Sequence, residues 1–346
     1  MKKILFPVPV IAALLLFTGC SSVNLKTEEG MQQISALQYS DALVLFEEAE
    51  KEGEDPKLVA RGRGIALLGR TDYEAAVEQF MLALSCGSGF VKDVDYDINY
   101  YLADAYIGLG EYDLAEETYT AIINLREDTE AYFLRGRVRL TKGSYTLAKG
   151  DFDKVVELQP GNTENAIRIY RALSENGYRE AGEEYLQAAL DSGTKAISSL
   201  NMGKIYYYLG DYQTAASALE DAKNSDGSDS EAALYLGRSY EAVGEYNYAS
   251  NVYENFLARN PKDSAVYNQL ALCRMKMGDY EGALEMLQTG MQTGETEYMR
   301  SLSFNEIVAY EYLGEFEKAE ALINAYLSSY PDDQDALRER DFLKTR

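Results

Sequence analysis

The sequence predicts an all-α solenoid of about nine helix pairs with a capping helix at its C-terminal end, and three observations lead there. An aromatic residue is followed three positions later by alanine nine times, with the aromatics about every 34 residues: Tyr39, Tyr73, Tyr112, Tyr145, Tyr178, Tyr212, Tyr246, Tyr280 and Phe316. Their partners are Ala42, Ala76, Ala115, Ala148, Ala181, Ala215, Ala249, Ala283 and Ala319. A Gly-acid-aromatic corner recurs at Gly110-Glu111-Tyr112, Gly244-Glu245-Tyr246, Gly278-Asp279-Tyr280 and Gly314-Glu315-Phe316. Finally, Pro56, Pro160, Pro261 and Pro331 all fall between units, where proline stops one helix without damaging the next. A fixed period of this length marks stacked two-helix units that bury a core only against their neighbours.

Each element follows in order. Residues 1–19 read as a secretory leader: a cationic start at Lys2 and Lys3, then an apolar run from Ile4 to Phe17. That run is shorter than the roughly 17–25 residues a membrane span needs. Residues 20–27 hold the lipidated cysteine and a short tether, Ser21 to Thr27, of at most about 25 Å at 3.3–3.6 Å per residue. The helix pairs occupy residues 28–334. Around Tyr212, Gly203 lies nine residues earlier and Gly210 two earlier, while Ala215, Leu219 and Ala222 follow at the spacing of one buried helical stripe. Glycine ends the first helix in the left-handed conformation, and the acid beside it faces the positive end of the second helix dipole. Small residues such as Gly30, Gly64, Gly136, Gly203 and Gly237 mark close approach of two helices, and Phe46, Phe80, Tyr119, Phe152, Tyr185, Leu219, Tyr253, Leu287 and Ile323 fill the space between. Repeat five is poorer, with Ile169 at the close-approach position and Asn176 at the corner; repeat nine has Ile307. The connections Ser85 to Asp95 and Thr289 to Met299 exceed the period and are expected to protrude. Residues 335–346 suit a polar capping helix.

These repeats resemble tetratricopeptide repeats, a resemblance shown nearly whole in Gly136, Gly143, Tyr145, Ala148, Phe152 and Pro160. It implies a right-handed superhelical solenoid of helix-turn-helix units whose first helices line a concave groove. Thr18-Gly19-Cys20 in turn resembles the processing site of a bacterial lipoprotein, which implies cleavage before Cys20 and lipid on that cysteine. Two or more acyl chains there would give a stable anchor. The expected location is therefore extracytoplasmic, on the cell surface or periplasmic side of a bacterial membrane.

Composition removes several classes of function. With 57 acidic against 33 basic residues the net charge is −24, or −26 once Lys2 and Lys3 leave with the leader. Such a surface repels nucleic acid and anionic lipid. There is no histidine, which removes every mechanism that uses imidazole as base, acid or ligand. Cys86 and Cys273 lie six repeats apart in a stack where each unit touches its neighbours, which argues against a disulfide. Asp93-Val94-Asp95-Tyr96-Asp97-Ile98-Asn99 spaces acids as a calcium loop begins, but Ile98 stands where the turn needs glycine. An acid-rich helix start accounts for it better. Cys86-Gly87-Ser88-Gly89-Phe90 has no base to activate its thiol. No enzyme, cofactor or metal is expected.

The candidate binding residues lie 15, 12, 8, 5 and 4 residues before each reference aromatic, positions that line the groove in the family. Tyr100, Tyr170, Tyr207, Tyr208 and Tyr312 fall there, as do Arg137, Lys204 and Arg238. Six acids against five bases at these positions leave the groove nearly neutral beside an acidic exterior. The row Arg137, Tyr170, Lys204, Arg238 suits a carboxylate-bearing or aromatic peptide, by charge-assisted hydrogen bonds and stacking. Pairing of these bases with Glu130, Glu231 and Glu241 is the alternative. The expected function is an anchored scaffold that binds a protein segment, or an accessory lipoprotein of an envelope machine for outer-membrane protein assembly, pilus assembly or secretion.

Overall fold

The computed structural model describes residues 24–87, 89–192 and 197–346, and all the regular structure in them is helical. The leader, Cys20 and residues 21–23 of the tether lie outside the described residues. Among the described residues nineteen helices follow one another as nine pairs and a final single helix, an all-α solenoid of repeats. The pairs are α1 (Leu25–Ser35) with α2 (Tyr39–Glu52), α3 (Pro56–Gly69) with α4 (Tyr73–Ser85), α5 (Asp93–Gly108) with α6 (Tyr112–Leu125), and α7 (Thr129–Thr141) with α8 (Tyr145–Leu158). Next come α9 (Thr163–Glu175) with α10 (Arg179–Asp191), α11 (Ser199–Leu209) with α12 (Tyr212–Ser225), and α13 (Ser230–Ala242) with α14 (Tyr246–Leu257). The last are α15 (Ser264–Lys276) with α16 (Tyr280–Gln292), α17 (Met299–Tyr312) with α18 (Phe316–Ser329), and the single α19 (Gln334–Leu343). The first helix thus begins at Leu25, three residues before the expected start of the repeats.

The chain divides into two compact units. One holds the described residues up to Asn165 together with Arg171–Arg179, the other Ala166–Tyr170 with Glu180–Arg346. Helices α1 to α8 in one unit and α11 to α19 in the other pack on their neighbours in sequence, and first helices also touch the first helix of the next pair: α1 on α3 and α3 on α5 in one unit, α11 on α13, α13 on α15 and α15 on α17 in the other.

The repeat chemistry works as its spacing requires in eight pairs. The second helix begins at the reference aromatic itself, its alanine is fully buried, and so is the large residue seven positions on, from Phe46 to Ile323. The small residues are obligatory: a methyl group at Gly237 would lie 2.2 Å from Tyr253 Cζ, and one at Gly203 would lie 2.4 Å from Leu219 Cγ. The corner residue two before the aromatic is left-handed throughout, with φ 75° at Gly110 and 83° at Gly210 and Gly244. Leu37 and Thr71 hold the same conformation without being glycine. The acid of the corner is the helix N-cap, and Asp211 and Asp279 accept from the backbone N–H of Thr214 and Gly282.

Repeat five departs from the predicted register. The left-handed residue is Gly177 with φ 84°, and α10 starts at Arg179 rather than at Tyr178. Every position shifts by one: Gly182 replaces Ala181 as the small buried residue, and Leu186, fully buried, replaces Tyr185 as the filler. Tyr178 instead stacks on Tyr145, centroids 4.3 Å apart. Repeat nine keeps its register, and Ile307 packs in one cluster with Ile323.

The acid-rich segment before Asn99 is a helix start, as expected. Asp95 accepts from the backbone N–H of Lys92 at 2.8 Å and pairs with the Lys57 ammonium. The extended connections span Cys86–Lys92 and Thr293–Tyr298, and Glu295 of the second reaches back to the backbone N–H of Ser264, 3.0 Å away, at the start of α15. Cys86 and Cys273 are free thiols, the first exposed and the second buried. At the C-terminal end, Asp333 caps α19 and accepts from Arg300 and from the Tyr326 hydroxyl at 2.6 Å, while Ala336 and Leu343 are buried.

Candidate functional site

Five of the candidate residues gather in the second unit. Lys204, Tyr207 and Tyr208 on α11 and Arg238 on α13 surround a ring that the sequence reading missed, Tyr235 of α13, and Tyr170 on α9 packs on Tyr208. Ring centroids lie 4.9 Å apart for Tyr170 and Tyr208, 5.6 Å for Tyr207 and Tyr208, and 5.3 Å for Tyr207 and Tyr235. The Tyr208 and Tyr235 hydroxyls are 2.5 Å apart, and the Tyr170 hydroxyl donates to the Tyr208 carbonyl at 3.3 Å. Tilted and edge-on contacts of this kind contribute about 0.5–1.5 kcal/mol each beyond burial. Tyr235 lies eleven residues before Tyr246, one helical turn before Arg238 and therefore on the same face. That i, i+3 relation was the available signal.

Burial sorts these residues into props and contact groups. Tyr170 is only 6 % exposed, because the register slip carries it from the predicted groove position to the close-approach position, against Gly182. It is a packing residue, which corrects its placement in the groove. Lys204 is 4 % exposed and its ammonium donates to Glu231 at 3.1 Å, the internal pairing named as the alternative. Arg238 remains half-buried: its guanidinium donates to the neutral Gln269 Oε1 at 3.2 and 3.3 Å and lies 5.9 Å from the Tyr235 ring centre. Tyr207 and Tyr208 are partly exposed, and burial pushes the Tyr207 hydroxyl pKa up. Glu241, expected as a groove acid, is buried and accepts from Lys276, Tyr253 and Gln269.

The remaining candidates stand apart from that cluster. Tyr312 is 63 % exposed and stacks almost flat on Tyr280, 4.9 Å between centroids. In the first unit Tyr100 is a strut: its hydroxyl donates to Asp128 at 2.7 Å, and Asp128 itself accepts from backbone N–H groups at the start of α7. Burial first, then Asp128, pushes the Tyr100 hydroxyl pKa up. Arg137 is exposed and its guanidinium donates to no group among the described residues. With the corrected register, repeat five places Glu164, Arg171 and Glu175 at groove positions in place of uncharged residues.

Near the C-terminal end a second depression of about 460 Å³ is lined by Asn268, Arg300, Ser301, Phe304, Asn305 and Tyr326, among others. The Asn305 amide donates to Asn268 at 2.8 Å across it. None of these was singled out from sequence, since its tyrosine and its arginine, Tyr326 and Arg300, fall outside the counted groove positions.

The comparisons with known proteins agree with the repeat architecture. Family models described as tetratricopeptide repeat match residues 100–163 and 200–247 and, with a second model, 242–303. The human RNA polymerase II-associated protein 3 is 34 % identical over 128 residues, which cover 33 % of this chain and 19 % of that one. The chain thus spans about a fifth of that curated relative. Among solved structures, a tetratricopeptide repeat protein from Parabacteroides merdae superposes with a TM-score of 0.51 at 14 % identity, covering 84 % of this chain and 99 % of that one. YrrB, described as a repeat protein with an unusual peptide-binding site, gives 0.38 at 21 % identity over 56 % and 90 % of the two chains.

Proposed function

We propose that this chain, a tetratricopeptide repeat protein of the protein–protein interaction class, is a lipid-anchored extracytoplasmic scaffold that holds a segment of a partner on its first-helix face. The observation that carries the binding half is the contact of α11, α13, α15 and α17 with one another in the second unit. Their open sides form one surface, on which Tyr207, Tyr208, Arg238 and Tyr312 are accessible in part or in full. Rigid aromatic rings and a preformed surface bind with little ordering cost on the receptor side. A photo-reactive residue at Tyr312 should form adducts with a partner in intact cells, and one at Tyr248, exposed on the second helix of its pair, should not. Equal adducts at both would sink the reading.

The anchoring half is supported by the leader composition and the Thr18-Gly19-Cys20 site. Because α1 begins at Leu25, only Ser21 to Asn24 separate the cysteine from the first helix. That tether reaches at most about 14 Å at 3.3–3.6 Å per residue, so the first pair would sit at the membrane surface. Labelled fatty acid should enter the wild type and not Cys20→Ala; equal labelling would refute the anchor.

A further inference from the structure

A depression of about 520 Å³ lies wholly within the second unit, among α12, α13 and α14. Lys223 of α12, Tyr240 of α13 and Tyr248, Asn251 and Asn255 of α14 line it, with Arg259 just beyond that helix. A volume of this size suits a small ligand. Its aromatic and amide residues are not ones the repeat requires. Counted from the first residue of each second helix, the position two further on is aromatic only in α14, where it is Tyr248. That ring is 60 % exposed: it meets Tyr240 with centroids 5.7 Å apart and is otherwise open. Five positions on, where α4, α6, α10 and α16 carry Glu78, Glu117, Glu184 and Glu285, α14 has Asn251. The side-chain amides of Asn251 and Asn255 are exposed and bond to nothing among the described residues. Tyr248, Asn251 and Asn255 follow at i, i+3 and i+7 on one face of α14, over about 10 Å at 1.5 Å per residue.

The charge of the depression is opposite to that of the chain. Lys223 pairs with Glu220, which also lines it, whereas Arg259 meets no carboxylate among the described residues. Its Nε donates to the Asn255 carbonyl at 3.2 Å, and its guanidinium lies over Gly227, where a methyl group would be 2.3 Å from Nη1. Two cations against one acid leave this surface positive in a protein of net charge −24.

We propose that the depression binds an acidic saccharide, an oligosaccharide with at least one carboxylate-bearing ring. The open face of Tyr248 receives the C–H groups of a sugar ring, drawn to the negative face of the aromatic system. Carboxamides, which donate and accept at once, match adjacent hydroxyl groups that do the same. The Arg259 fork takes the carboxylate. A protein segment fits less well, since beyond the two rings the apolar lining is the buried Val252 and the small Ala258, little surface to anchor a peptide side chain. The site is independent of the first-helix surface. The test is an array of uronic-acid oligosaccharides, their methyl esters and acidic peptides, probed with the full chain. The free acids should be retained, about tenfold less by Tyr248→Ala and by Arg259→Gln. Tyr248→Trp keeps an aromatic face and should restore retention, and unchanged far-ultraviolet dichroism would show that each variant folds. The preference for acid over ester should vanish in Arg259→Gln and shrink as salt rises. Tyr312→Ala, on the first-helix surface, should change nothing. Equal retention of acids and esters would overturn the carboxylate assignment, and loss on Tyr312→Ala would overturn the placement. No retention of any saccharide, retention indifferent to Tyr248 and Arg259, or capture of the acidic peptides through those two residues instead would overturn the proposal.

Discussion

Asp151 is 3 % exposed and accepts from Arg135 at 2.6 and 3.1 Å and from Arg139 at 2.8 Å. Arg139 and Lys142 also meet Glu116. Removing one member of a buried ion network strands the others, at about 3–5 kcal/mol. Asp151→Ala should lower the urea midpoint accordingly, well beyond the effect of an exposed acid such as Asp153→Ala. Glu311 is the reverse case, a carboxyl without a cation. Its Oε1 is buried and unbonded, and burial first, then the neighbouring Glu339 carboxyl, pushes its pKa from the usual 4.5 up to about 8. The folded state then holds a proton that the unfolded chain has released. This contribution to stability is complete below about pH 4.5 and is lost as pH rises through 8. Glu311→Gln should therefore gain on the wild type steadily from pH 5 to pH 9 in thermal melts, and a constant difference would refute the shift.

At the scale of elements, the corner between paired helices is the repeating decision. Gly210 has φ 83° and open space around its Cα, so Gly210→Ala should cost about 1–2 kcal/mol from backbone conformation alone. Thr71 bears that same conformation, φ 61°, with a β-branched side chain. Thr71→Gly should stabilise by up to about 1 kcal/mol, the relief of strain being partly offset by the freedom glycine gains when unfolded. Scanning calorimetry of the two variants checks both signs. Corners were legible in the sequence wherever a single glycine preceded an acid. In repeat five, Tyr178 with Ala181 reproduced the spacing by coincidence, one residue ahead of the true frame. Gly177, Leu186 and Ala189 fit the frame that starts at Arg179, and the buried pattern of Asn165, Ile169 and Ala172 agrees with it.

At the scale of the molecule, charge and repetition set the response to salt and heat. A net charge of −24 repels itself, and the screening length falls from about 30 Å at 0.01 M to about 8 Å at 0.15 M. Raising salt over that range should raise the melting temperature followed by far-ultraviolet dichroism, and a fall would refute self-repulsion as the governing term. Because helices pack on sequence neighbours, unfolding should propagate along the stack, and hydrogen exchange should resolve segments of differing stability instead of one all-or-none step. Local contacts of this kind also favour rapid folding.

The sequence by itself determined the helix pairs, the left-handed corners, the buried alanines and fillers, and the capping helix, because each rests on contacts within a pair or between adjacent pairs. Groove membership depended on something finer. A helix turns about 100° per residue, so a slip of one position moved Tyr170 from the open face into the core and brought Arg171 out in its place. Pairing was decided in three dimensions as well. Lys204 and Arg238 occupy the same register position, yet one meets Glu231 and the other only an amide, since the neighbouring repeat supplies an acid in one case and Ala265 in the other.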